Sequence, residues 1–156
     1  MLFHLSTQHF PNAIRTTDIP REYADISLSN HTRNVTIDDA CTLIHQTVRE
    51  QGYSLWVNNF FIHQPLSLYV LSMEKMYSLY YSIENTVNFS SRGQMRHIRP
   101  EEFCLLDLSP GFHYGRFEKG TYRSLHVMVD EPNKGILSDQ EYVAALLREH
   151  YFDTYI

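Results

Sequence analysis

The chain has 156 residues, with 13 Lys+Arg against 18 Asp+Glu, a net charge of −5 with His neutral. That length suits one domain able to bury roughly 70% of its unfolded surface without disulfide or structural metal. The acidic balance argues against phosphate binding through clustered Lys and Arg, and 43% apolar with 20% charged residues is the composition of a globular protein rather than a disordered one.

Residues 1–36 read as an irregular arm with short strands at most, because Pro11, Pro20 and Asn34 interrupt any period. Helical spacing of Ile37, Ala40, Cys41, Ile44 and Val48 competes with a strand over 42–50. The strand prevails, since Thr42, Ile44, Thr47 and Val48 are β-branched and Gln51-Gly52 supplies a turn. Residues 53–62, with Tyr53, Trp56, Val57, Phe60, Phe61 and Ile62, complete a hairpin. Further strands are expected at 66–73, 76–84, 86–90, 95–99, 103–108, 112–118 and 121–129, each bounded by a turn signal such as Ser91-Arg92-Gly93 or Ser109-Pro110-Gly111. Strands at such short intervals describe an antiparallel sandwich or barrel. Residues 130–137 read as a linker. Ser138 and Glu141 have capping-box spacing ahead of an amphipathic helix carrying Tyr142, Val143, Ala145, Leu146 and Leu147.

Nine His invite a metal hypothesis, but no H-x-H or H-x-x-x-H pair occurs, which favours structural or pocket-lining histidines over ligands. His113, just past the Ser109-Pro110-Gly111 turn, is placed either pointing into a barrel mouth, or as a cap on the turn or in solvent. Gly120 to His126 enters a strand and is not a phosphate loop. No G-x-S-x-G is present, and neither Cys41 nor Cys104 has a basic or imidazole neighbour in sequence to activate its thiol. Catalysis is therefore not expected. Trp56, Tyr69, Tyr80 and Tyr81 are candidates for either core or pocket wall, with inward or outward parity open. The two distant Cys, with no CxxC, suit a reduced, cytoplasmic setting. The start lacks the basic region of a signal peptide, and no apolar stretch approaches the length of a membrane span.

Residues 40–150 resemble the N-terminal effector domain of AraC-type bacterial transcription regulators, Bacteroidetes-type. The resemblance lies in Tyr53-Ser54-Leu55-Trp56, Met76 to Tyr81, Phe103 to Leu106 with Ser109 to His113, and above all Phe117 to Val127. It implies a mainly β, cupin-like double-stranded β-helix followed by one or two C-terminal helices: arm 1–36, barrel 37–131, linker and helix 132–156. It also implies an unknown small-molecule effector, a homodimer, and DNA contact only through a helix-turn-helix domain absent from this chain. On this reading Trp56, Tyr69, Tyr80, His113 and His126 line the ligand site. Val143, Leu146 and Leu147 form the dimer surface, with packing on their own barrel as the alternative, and the arm is the moving part. No cofactor is expected. The metal-binding motifs of cupins are reduced here to a Pro110-Gly111-x-His113 remnant. The competing readings are a metal-dependent cupin enzyme using His113, His126 and His63, and a stand-alone binding barrel.

Overall fold

A computed structural model describes residues 1–147. The hairpin expected around Gln51-Gly52 forms from β3 (Cys41–Glu50) and β4 (Tyr53–Ile62), with Gly52 at φ +89°, the left-handed region that favours glycine. The helical alternative for 36–50 is not realised. Ahead of the hairpin lie β1 (Ile14–Thr16) and β2 (Thr32–Asp38), and after it come β5 (Leu66–Ser72), β6 (Met76–Glu84), β7 (Val87–Ser91), β8 (Gln94–Ile98), β9 (Phe103–Leu108), β10 (Gly111–Phe117) and β11 (Gly120–Asp130).

The strands form two antiparallel sheets, β1-β2-β3-β4-β11-β6-β9 and β5-β10-β7-β8. Within β4–β11, the orders β4-β11-β6-β9 and β5-β10-β7-β8 are those of a jelly roll, the architecture that cupins share. The expected mainly β, cupin-like barrel is therefore present, with β1 to β3 extending its larger sheet. Alternation fixes the faces. On β4, Phe60 and Ile62 point into the main core, whereas Leu55 and Val57 belong to a second cluster on the outer side. The main core also takes Cys41 and Leu43 from β3, Leu68 and Val70 from β5, Phe89 from β7, Leu106 from β9, and Phe117 and Tyr122 from the last two strands. Gly115 on β10 leaves room for this ring packing: a Cβ there would stand 2.8 Å from the Phe117 ring and 3.2 Å from Phe3.

The N-terminal region differs most from expectation. Met1, Phe3 and Leu5 are fully buried in the main core, and β2 runs straight through the expected boundary at 36/37. An apolar residue at every second position lets a short extended segment present one wholly apolar face. Farther along, a 3-10 helix spans Arg21–Ile26. The buried Gln46 amide then clamps the following loop, accepting from Leu28 N at 2.7 Å and donating to Ile26 O at 2.8 Å.

The expected linker is a second 3-10 helix, Glu131–Ser138, opened by the Asp130 carboxylate accepting from Asn133 N. It leads into α1 (Gln140–Leu147), where Asp139 accepts from Tyr142 N through its side chain and from Val143 N through its carbonyl. Asp139 thus caps the helix in place of Ser138, because the preceding 3-10 turn already includes Ser138. Val143 joins Leu28, Leu55, Val57, Leu125 and Val127 in the outer cluster, and Leu146 is also buried. These two expected dimer contacts are therefore covered within the chain, the packing alternative, because the apolar outer face of β4 and β11 needs a cover. The side chain of Leu147 and residues 148–156 lie outside the described residues.

Candidate functional site

Inside the barrel, the larger sheet presents a set of polar side chains among aromatic rings. Parity on β3, β4, β6 and β11 turns His45, Trp56, Asn58, Ser78, Tyr80, Ser124 and His126 inward, and all are buried. His126 stands opposite Trp56 on one neighbour and Tyr80 on the other. Its Nε2 is 3.0 Å from the Ser124 hydroxyl, its Nδ1 is 3.5 Å from that of Ser78, and its ring centre is 4.1 Å from that of Tyr80. The Trp56 indole N–H donates to Ser54 Oγ at 2.9 Å.

The N-terminal segment meets this set. Phe3 N–H donates to His45 Nε2 at 3.0 Å, and the Asn58 amide donates to the Met1 carbonyl at 3.4 Å. His4 exchanges both backbone bonds with Tyr69 on β5, at 2.8 and 3.0 Å. The segment so bridges the free edge of the smaller sheet to the interior of the larger one. The Phe3 ring sits edge-on to Phe60, Phe117 and Phe89 at 5.4, 5.7 and 6.3 Å, and 6.1 Å from His126.

Burial dominates the electrostatics. It pushes His45 down to about 3, helped by the Met1 α-amino group and His4. Burial likewise holds His126 and the Met1 α-amino group well below their usual ranges, the latter with added repulsion from Arg49. Burial thus disfavours the protonated form of all three nitrogen bases in the one interior. Burial raises the Tyr80 phenol, opposed by the Ser124 hydroxyl, and raises the Cys41 thiol to about 12, with Asp38 adding to the rise.

Of the residues expected to line a ligand site, Trp56, Tyr80 and His126 come together in the interior. Tyr69 does not: it lies on the outer face, stacked on His4 at 5.2 Å and near Phe112 at 5.7 Å, because β5 turns Leu68 and Val70 inward instead. Tyr81 is also on an outer face, 4.4 Å from Phe103. His113 is buried but serves the turn before it, donating from Nε2 to Ser109 O at 2.8 Å while the Ser91 hydroxyl lies 2.8 Å from Nδ1. His45, Asn58 and Phe3 were missed; the alternation Met1, Phe3, Leu5 and the polar Asn58 in an aromatic strand were the available signals.

A cupin metal does not fit these residues. The nitrogens of His113 and His126 face hydroxyls or a carbonyl, His45 Nε2 accepts from Phe3, and His63 is exposed. Among the described residues, no three His, Cys, Asp or Glu side chains are grouped to hold a metal ion. A groove of about 250 Å³ opens at one end of the barrel, lined by Arg49, Ser54, Met76, Met128 and Asn133 among others. No helix among the described residues is long and apolar enough to cross a membrane.

No family model matches the chain, and no curated protein does. Solved structures similar in shape include the cupin domain of an XRE family transcriptional regulator from Enterobacter cloacae, at 10% identity and TM-score 0.47, covering 60% of this chain and 99% of that one. KdgF from Halomonas sp. is similar at 5% identity and TM-score 0.45, covering 61% and 83%. The Cnp3 cupin domain of Schizosaccharomyces pombe is similar at 9% identity and TM-score 0.45, covering 72% and 77%. The cupin-like fold of this chain rests on its own strand order.

Proposed function

We propose that this chain is a non-catalytic sensor barrel that binds a small molecule in its interior and passes the change to α1, as in an AraC-type regulator whose DNA-binding unit is attached separately. One observation carries the reading. β4 and β11 present Trp56, Asn58 and His126 to the interior, and the alternate residues Leu55, Val57, Leu125 and Val127 seat α1 through Val143. A ligand that prefers one setting of these two strands thereby prefers one setting of the helix, and only such a difference in affinity shifts a population. The absence of catalysis in this proposal is supported by the interior histidines, His126 meeting serine hydroxyls at both ring nitrogens and His45 accepting the Phe3 amide at Nε2.

The test is a thermal-shift screen of the chain against a metabolite panel, followed by hydrogen exchange with any hit. A ligand at a hundred times its Kd stabilises by about 2.7 kcal/mol. That raises Tm by about 5–10 °C at this size, and exchange at the amides of α1 should change with it. A panel with no hit, or a hit that leaves exchange in α1 unchanged, contradicts the sensor reading.

A further inference from the structure

The segment Met1–Leu5 fills the space in which an interior ligand would sit, yet it is joined to the barrel by few bonds. Beyond its apolar packing it has the paired bonds of His4 with Tyr69, one bond from Phe3 N–H to His45, and one from Asn58 to the Met1 carbonyl. By contrast, the β3–β4 register runs from Cys41↔Ile62 to Glu50↔Tyr53 without a break. We propose that Met1–Leu5 is a built-in competitor for the ligand site, and that the barrel takes a small aromatic amide only when Phe3 withdraws. This rests on the sensor reading and adds what occupies the site at rest and which ligand chemistry replaces it.

The chemistry of the ligand follows from what holds the segment. Three phenylalanine rings surround the Phe3 side chain, an imidazole nitrogen accepts its amide N–H, and a carboxamide donates to the carbonyl two residues earlier. An aromatic ring carrying an amide meets the same groups. Asn58 Oδ1, 1% exposed as a residue, has no hydrogen-bond partner among the described residues. A ligand with one further N–H would satisfy that oxygen, which the chain's own segment leaves unpaired, and so gains an interaction its competitor lacks.

Withdrawal need not disturb the sheets. Thr7, Gln8 and His9 are exposed, Phe10 N–H closes a turn onto Ser6 O, and the first strand begins only at Ile14. A tethered competitor acts at high effective concentration, so the apparent affinity for a ligand is the intrinsic affinity multiplied by the fraction of time the site stands open.

The experiment uses the full chain and N-acetyl-L-phenylalaninamide as probe. Without probe, the Phe3 and His4 amides should exchange at least 100-fold faster than those of Phe60 and Leu125; equal protection overturns the proposal. With probe, Phe3→Ala should bind at least tenfold more tightly than the unsubstituted chain, and Phe3→Leu, which retains most of the packing, should bind with intermediate affinity. Equal affinity in all three chains overturns the competition even if the sensor reading stands. Binding by none of them overturns the aromatic-amide assignment and this proposal with it. The metabolite screen decides separately whether the barrel binds anything.

Discussion

Replacing Phe3 by alanine distinguishes a displaceable segment from an integral piece of core. The side chain is fully buried and lies edge-on to Phe60, Phe89 and Phe117. Truncating such a phenylalanine costs about 3–5 kcal/mol when the surroundings cannot relax, out of a total stability of about 5–15 kcal/mol. If Met1–Leu5 can leave while the sheets stay folded, the loss has a ceiling. Once the seated form falls below the withdrawn form, the variant simply adopts the latter, and the measured loss equals the free energy of withdrawal. Phe117→Ala is the control, since Phe117 belongs to β10 and cannot leave alone. Urea unfolding followed by Trp56 fluorescence should show the full loss of about 3–5 kcal/mol for Phe117→Ala. For Phe3→Ala it should show a loss above about 1 kcal/mol but clearly smaller than the control's, with a lower m-value because less surface is buried in the variant's folded state. Equal losses with unchanged m would refute a separable segment, and no loss at all for Phe3→Ala would refute its burial.

Acid should weaken the fold before any carboxylate is protonated. His45 has a folded value of about 3 against 6.5 unfolded, and His126 is lowered in the same direction. The unfolded chain therefore binds protons below pH 6.5 that the folded chain refuses, so their stabilising contribution is complete above that pH. It declines towards about 3 for His45, with a slope of about 1.4 kcal/mol per pH unit per histidine. Urea titrations between pH 7 and 4 measure the slope, and a flat profile contradicts the buried neutral imidazoles. Val143→Asp places a carboxylate against Leu55, Val57, Leu125 and Val127. It should cost about 2–4 kcal/mol and expose α1 to proteolysis. A variant of unchanged stability and protease resistance would show that this contact does not hold the helix.

The strands from 41 to 130 were legible because period-two patterning and turn chemistry are local and agreed with each other. Inward and outward parity was harder to read: Tyr69 and Tyr80 are the same residue type in equally convincing strands, and only the sheet pairing puts one outside and the other in. The helix was legible from its apolar stripe, but not what the stripe would cover, since the outer faces of β4 and β11 alternate with inner faces nearly as apolar. Its cap moved from Ser138 to Asp139 because a 3-10 turn absorbed the serine. In the first five residues the strand-like alternation is too short to stand out from the irregular stretch that follows. His45 and Asn58 are not legible as site residues, because a buried polar residue in a strand is recognised only once its partner, here the segment Met1–Leu5, is in place.

The two cysteines give the molecule a pair of internal clocks. Cys41 lies fully buried at the head of β3 with its thiol pushed up to about 12, whereas Cys104 on the edge strand β9 is only half-buried. Alkylation requires an accessible thiolate, so Cys41 reacts only during excursions that unseal the main core, while Cys104, half-buried at the margin of that core, reacts from the folded state. A ligand that locks the barrel would slow the first reaction far more than the second, and the ratio of the two rates reports interior occupancy without any label being engineered into the chain.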